Sequence, residues 1–152
     1  MTRKLSEHFT LEEFTASQTA ARKGIDNTPD AAALRNLSRL AATLEVVRAA
    51  LGHKPIVVSS GYRCPALNTA IGGAKGSFHT KGLAVDFTVK DFGTVLATAR
   101  AIARLDIPRD QIIYEYGRWI HLGLAEDDDD ARGELWSIGS AGKYVSGLTS
   151  NC

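Results

Sequence analysis

The 152-residue sequence predicts a domain in which α-helices and β-strands share one core, and three observations carry that reading. Leu34, Leu37, Leu40, Ala41, Leu44, Val47 and Leu51 recur at helical spacing, which predicts one long amphipathic helix. Leu83, Val85, Phe87 and Val89 alternate with Ala84, Asp86 and Thr88, the two-residue period of a strand. Gly117-Arg118 separates two runs, residues 111–116 and 119–124, in the manner of a hairpin. A chain of this length buries roughly 70% of the surface it exposes when unfolded, so it needs no disulfide staples. No internal repeat or linker divides it, and residues 1–152 are read as one domain.

In chain order, Thr10 and Glu13 form a capping box, and Phe9 and Phe14 are spaced for a hydrophobic staple, so a short helix begins here. Thr28-Pro29-Asp30 supplies an N-cap followed by proline at the first helical position, and Gly52 ends the long helix. Ile56-Val57-Val58 is a short β-branched run, a buried strand that delivers Ser59-Ser60-Gly61-Tyr62-Arg63 to its end. Pro65 opens a short helix through Ile71. Gly72, Gly73 and Gly76 predict a loop that leads into His79. Beyond the alternating strand, Asp91 caps a helix to about Leu105, with Val95, Ala99, Ile102 and Ala103 inside, and Pro108 closes it off.

Residues 126–130 are all acidic, and like charges so close repel one another and favour a solvated loop. The spaced oxygen ligands and central glycine of a calcium loop are absent. The tail with Trp136 and Tyr144 is expected to add a strand or to lie over the core.

Composition excludes several roles. A net charge of +1 without a basic run gives no electrostatic reason to bind nucleic acid. The polar start, Met1 to His8, lacks the apolar core of a secretory signal, and no stretch is long enough to cross a bilayer. The chain is therefore expected to be made in the cytosol, without membrane insertion. Cys64 and Cys152 are too few and too far apart for a disulfide framework and are expected to be free thiols.

His8 and His53 carry no signal beyond that of ordinary surface histidines. His79 and His121 differ, because each adjoins a strand and Asp86 shares its face with small residues. Burying an unpaired carboxylate there costs several kcal/mol, on the order of 3 or more, unless a cation or hydrogen bonds compensate. Two histidines and an aspartate are the three protein ligands of an open zinc site, whose fourth position is left for water.

At this point the motifs resemble a known family. Ser77-x-His79-x-x-Gly82-x-Ala84-x-Asp86 is similar to the zinc signature of the D-alanyl-D-alanine carboxypeptidase superfamily of cell-wall peptidases. That superfamily also holds D-Ala-D-Ala dipeptidases and phage L-alanyl-D-glutamate endopeptidases. Ser60-Gly61-Tyr62-Arg63 resembles its arginine motif and Trp119-x-His121 its last ligand, and the similarity runs from about Ser6 to Leu124.

The resemblance implies a small α+β fold, an antiparallel sheet with flanking helices and the zinc site on the sheet. It further implies one zinc ion per chain held by His79, Asp86 and His121, and peptidoglycan stem peptides as substrate. Arg63 would bind a substrate carboxylate or the oxyanion, a task suited to its planar, always-charged fork. Ser77 is read as hydrogen-bonding within the loop that aims His79; Tyr62 and Lys81 are secondary substrate-side candidates. Cys64 is excluded as a ligand because it would close the open site, and Trp119 is read as a hairpin packing residue.

The sequence departs from the family where the general base is concerned. Several members carry an acidic residue three positions before the last histidine, others a histidine two before it; this chain has Arg118 and Trp119 there. Glu115 is the nearest carboxylate. With a two-residue turn Tyr114 pairs with His121 and Glu115 points away; with a three-residue loop Glu115 pairs with Trp119, on the face of His121. Glu115 is taken as the base because a phage-type branch is similar over the Tyr-Glu-Tyr-Gly-x-Trp-x-His segment.

The expected activity is therefore hydrolysis of an amide in the stem peptide or cross-link, of the D-Ala-D-Ala carboxypeptidase or endopeptidase type. The alternatives are an L-Ala-D-Glu endopeptidase or D-Ala-D-Ala dipeptidase, and a catalytically silent zinc module for wall binding or virion structure, as in the related hedgehog domain. The expected setting is a monomeric phage or prophage endolysin that reaches the wall of a Gram-negative host after holin-mediated release.

Overall fold

Strands β1 (Ile56–Ser60), β2 (Ala84–Val89), β3 (Gln111–Glu115), β4 (Trp119–Gly123), β5 (Glu134–Ile138) and β6 (Tyr144–Ser146) join in one sheet, ordered β1-β2-β4-β3-β5-β6. Helices α1 (Leu11–Thr15), α2 (Gln18–Lys23), α3 (Ala31–Ala50), α4 (Pro65–Ala70) and α5 (Val95–Ala103) flank it. The computed structural model describes residues 2–152, so Met1 lies outside the described residues. The α+β class holds, but the sheet is mixed, because β5 runs parallel to β3 while the other four pairings are antiparallel. That parallel pairing follows from the chain crossing residues 124–133 before it returns beside β3.

One apolar cluster unites Leu37, Leu40, Leu44 and Val47 of α3 with Val85 and Phe87 of β2, Ile112 of β3, Ile120 and Leu122 of β4, and Ala99 and Ile102 of α5. Alternation along β2 thus works as the sequence predicts: Val85 and Phe87 enter this core, and Asp86 points the other way. Such burial stabilises by about 25 cal/mol per Å² of apolar area and holds the strands that carry the polar residues.

Local signals mark most element starts. Thr10 caps α1 with the full capping box, and the Phe9 and Phe14 rings lie 6.1 Å apart. The cap of α3 is Asp30, whose Oδ1 accepts from Ala33 N at 2.8 Å, and not Thr28, whose hydroxyl donates to Asp26. Thr94 caps α5; Asp91 instead sits in a turn at φ 61, so α5 starts later than its acidic residue suggests. Helix α2, capped by Ser17 and ended by Gly24 at φ 65, has no counterpart in the sequence reading because it buries only Ala20. Residues 126–130 are exposed, as like charges favour, and Arg39 ties Asp128 to α3 at 2.8 Å. Cys64 and Cys152 are free thiols.

Candidate metal centre

Register alone sets the first two polar groups side by side, since Asp86 of β2 is directly opposite His121 of β4. His79 comes from a 3-10 turn, Phe78–Lys81, whose start is capped by Ser77 Oγ accepting from His79 N at 3.2 Å. Gly82 ends this turn at φ 73, where a Cβ would stand 2.6 Å from the Ala33 carbonyl oxygen. Both the backbone conformation and the close approach to α3 therefore require glycine.

His79 Nδ1 lies 2.7 Å from the carbonyl oxygen of Gly61. A carbonyl only accepts, so Nδ1 carries a proton and Nε2 is the nitrogen turned to the site. Gly61 is itself forced by proximity, because a Cβ there would meet the Phe14 carbonyl oxygen at 2.5 Å. The segment after β1 thus orients His79 from one side while the Ser77 cap fixes it from the other.

His79 Nε2 is 3.4 Å and His121 Nδ1 2.8 Å from the same oxygen, Oδ1 of Asp86. The three residues are buried, and their donor atoms lie within 4.8 Å of one another. Ligands about 2.1 Å from a tetrahedral zinc stand roughly 3.4 Å apart, so the group has the dimensions to hold one ion. A favourable contact between His79 Nε2 and that carboxylate oxygen needs a proton or a metal cation between them. The donor set therefore fits zinc chemically as well as dimensionally.

Electrostatics reinforce this. Burial is the largest influence on Asp86 and acts to raise its pKa, yet His121 and His79 together hold it well below the usual carboxylate range. Glu115 moves the opposite way: burial first, then the nearby charge of Asp86, push it up.

Glu115 pairs with Trp119, so the hairpin has the three-residue loop and Glu115 lies on the face of His121. Tyr116 at φ 57 and Gly117 at φ 67 make that loop. Glu115 Oε1 is 3.7 Å from His121 Nδ1, while Oε2 accepts from Trp119 Nε1 at 3.1 Å. Arg63 Nη2 reaches to 3.8 Å from Asp86 Oδ2, and its Nε donates to Ser60 Oγ at 3.3 Å.

One cavity of about 360 Å³ brings together Arg63, Ser77, His79, Asp86, Glu115 and His121. Tyr62 and Lys81 are not among its walls. Tyr62 is buried and lines an adjoining cavity with Arg63, and Lys81 Nζ donates to Glu126 at 2.9 Å. Gln111, Arg132 and Tyr144 line the metal cavity without having been read from the sequence as site residues. The alternation Gln111, Ile113, Glu115 was a signal for the first of these. Arg132 and Tyr144 had none, because a parallel pairing across the sheet carries them there.

A buried His-Asp-His group on a sheet, with a carboxylate and a guanidinium on the same cavity, defines the class of zinc metallopeptidases. The chain belongs to the Peptidase M15 family, whose profile matches residues 7–123. It is accordingly a zinc peptidase acting on peptidoglycan-type substrates. A comparison with curated proteins returns no match. Among the described residues no helix is long and apolar enough to cross a membrane.

Proposed function

We propose that the protein, acting as a monomer and as one unit over residues 1–152, hydrolyses an amide bond in the stem peptide or cross-link of peptidoglycan. His79, Asp86 and His121 hold one zinc ion in this reading, Glu115 is the general base and Arg63 binds the oxyanion or a substrate carboxylate. The observation that carries it is the convergence of these five side chains on one cavity.

Zinc, when bound, polarises an amide carbonyl and acidifies a water toward a pKa of ~7. Glu115, made more basic than an ordinary carboxylate by burial and by Asp86, is suited to take up a proton and return it to the leaving amine. Its Trp119 hydrogen bond leaves Oε1 as the oxygen turned toward His121. Arg63 presents donors on the other side of Asp86, where the Ser60 contact fixes its fork. Ser77 and the segment through Tyr62 position His79 and Arg63 and do not themselves react. Lys81, paired with Glu126, is left out of the substrate contacts.

The setting follows as a narrower proposal: a phage or prophage lysis enzyme reaching the wall after holin release, supported by the Tyr114 to His121 segment that resembles the phage-type branch. Mass spectrometry of soluble fragments from purified peptidoglycan tests the activity. Release that stops with chelator and resumes with zinc is expected, and fragment masses distinguish D-Ala-D-Ala-type from L-Ala-D-Glu cleavage. One zinc bound per chain without any release would favour a binding module instead.

A further inference from the structure

The face of the sheet that carries the metal group does not end at β3. Asp86 pairs with His121, His121 with Ile113, and Ile113 with Trp136, so these four residues form one row across β2, β4, β3 and β5. In the next row Glu115 pairs with Ile138 and Ile138 with Tyr144. Directly paired residues share a face, so Trp136 and Tyr144 lie on the side of the proposed reaction centre.

Gln111, Ile113, Trp136 and Tyr144 line a cavity of about 410 Å³, and three of them, Gln111, Ile113 and Tyr144, also line the metal cavity. The two spaces therefore adjoin. Tyr144 is 56% exposed, and Trp136 is half-buried with its Nε1 donating to Glu134 Oε1 at 3.2 Å, so its ring is held in place. Both aromatic residues lie beyond the stretch matched to the family, which ends at residue 123.

We propose that this face is a sugar subsite: a pyranose ring of the glycan that bears the stem peptide lies on Trp136 and Tyr144, and the Gln111 amide takes its hydroxyl or acetamido groups. The proposal rests on the peptidoglycan reading and narrows it. A pyranose ring offers apolar C–H faces and a polar rim, which complement flat aromatic surfaces flanked by a side chain with two donors and an acceptor. Each peptide residue spans at most about 3.6 Å, so a sugar bound beside the metal cavity places the cut amide near the sugar-bearing end of the stem.

The test compares a disaccharide-bearing stem peptide with the same peptide lacking sugar, using the zinc-loaded protein. The expected kcat/KM is at least about tenfold higher with the sugar; Trp136→Ala erases that advantage while free-peptide rates stay within about twofold, and Tyr144→Ala, which also alters the metal cavity, lowers the sugar advantage beyond any loss on free peptide. Trp136→Phe retains most of the advantage and guards against a folding artefact. An equal loss on both substrates, or an advantage unchanged in the alanine variants, overturns the subsite. If the native protein cleaves neither substrate, it is the peptidase reading that fails. The subsite is then read from the Trp136 indole NMR signal: a saturable shift with the disaccharide-bearing peptide that the sugar-free peptide does not produce upholds it, and no such shift overturns it.

Discussion

Two buried aspartates in this molecule are neutralised in opposite styles. Asp110, at the foot of β3, is gripped by Arg132: backbone N and Nε donate to Oδ1 at 3.1 and 3.0 Å, and Nη2 donates to Oδ2 at 2.6 Å. Asp86 has two histidines on a single oxygen and an arginine no closer than 3.8 Å on the other. Both pKa values are lowered, but the leading influence on Asp110 is the favourable Arg132 hydrogen bond, whereas the leading influence on Asp86 is adverse burial. The first pair is a finished structural contact. The second is an anionic site whose neighbours are themselves ligands, which is the arrangement of a group that holds a cation.

That contrast is sharpest in the response to zinc. Saturating zinc is expected to stabilise the native protein by about 4 kcal/mol at a thousandfold excess over its dissociation constant, read as a raised melting temperature. Asp86→Asn should weaken zinc affinity by at least about 100-fold and abolish cleavage, since even supporting residues of metal sites cost 10 to 100-fold. Asp110→Asn should leave zinc stoichiometry and the zinc-induced gain intact. If the two substitutions behave alike in calorimetric zinc titrations, the distinction between the two aspartates fails.

Glu115→Gln separates metal holding from chemistry within the same cavity. One zinc per chain should remain, while kcat falls by about 10²–10⁴-fold, the usual contribution of a positioned base. Full activity in Glu115→Gln would remove Glu115 as base and leave the metal group untouched.

The same contrast explains what could be read in advance. His79, Asp86 and His121 were legible because period-two alternation assigns Asp86 a face, and Ser77 and Gly82 mark the turn that bears His79. The site of Glu115 was not legible, since a one-residue change in hairpin loop reverses its direction, and only the Tyr116 and Gly117 conformations resolve the choice. Asp110 and Arg132 were invisible as a pair. They are joined by the parallel β3 and β5 pairing, a non-local contact to which neither local propensity nor spacing points. Helix α3, by contrast, is defined almost wholly by its own apolar spacing, and only its cap moved, from Thr28 to Asp30.

The smallest expected effect tests the finished contact itself. Arg132 is more than half exposed, so its grip on Asp110 is partly screened by solvent, and Arg132→Ala is expected to cost about 1–3 kcal/mol near neutral pH. The pH dependence has a definite sign. Because folding depresses the pKa of Asp110, the contact contributes its full stability above the unfolded value of about 3.9 and loses it as pH falls through the folded value. Denaturant unfolding curves of the native protein and Arg132→Ala should therefore lie furthest apart near neutrality and converge in acid. Glu134, 3.5 Å from Arg132 Nη1, adds only a weaker contact to the same guanidinium and leaves that direction unchanged. A gap that stayed constant down to strongly acidic pH would mean that Arg132 stabilises by packing its aliphatic stem and not by holding Asp110, and the two aspartates would then no longer form the contrast drawn above.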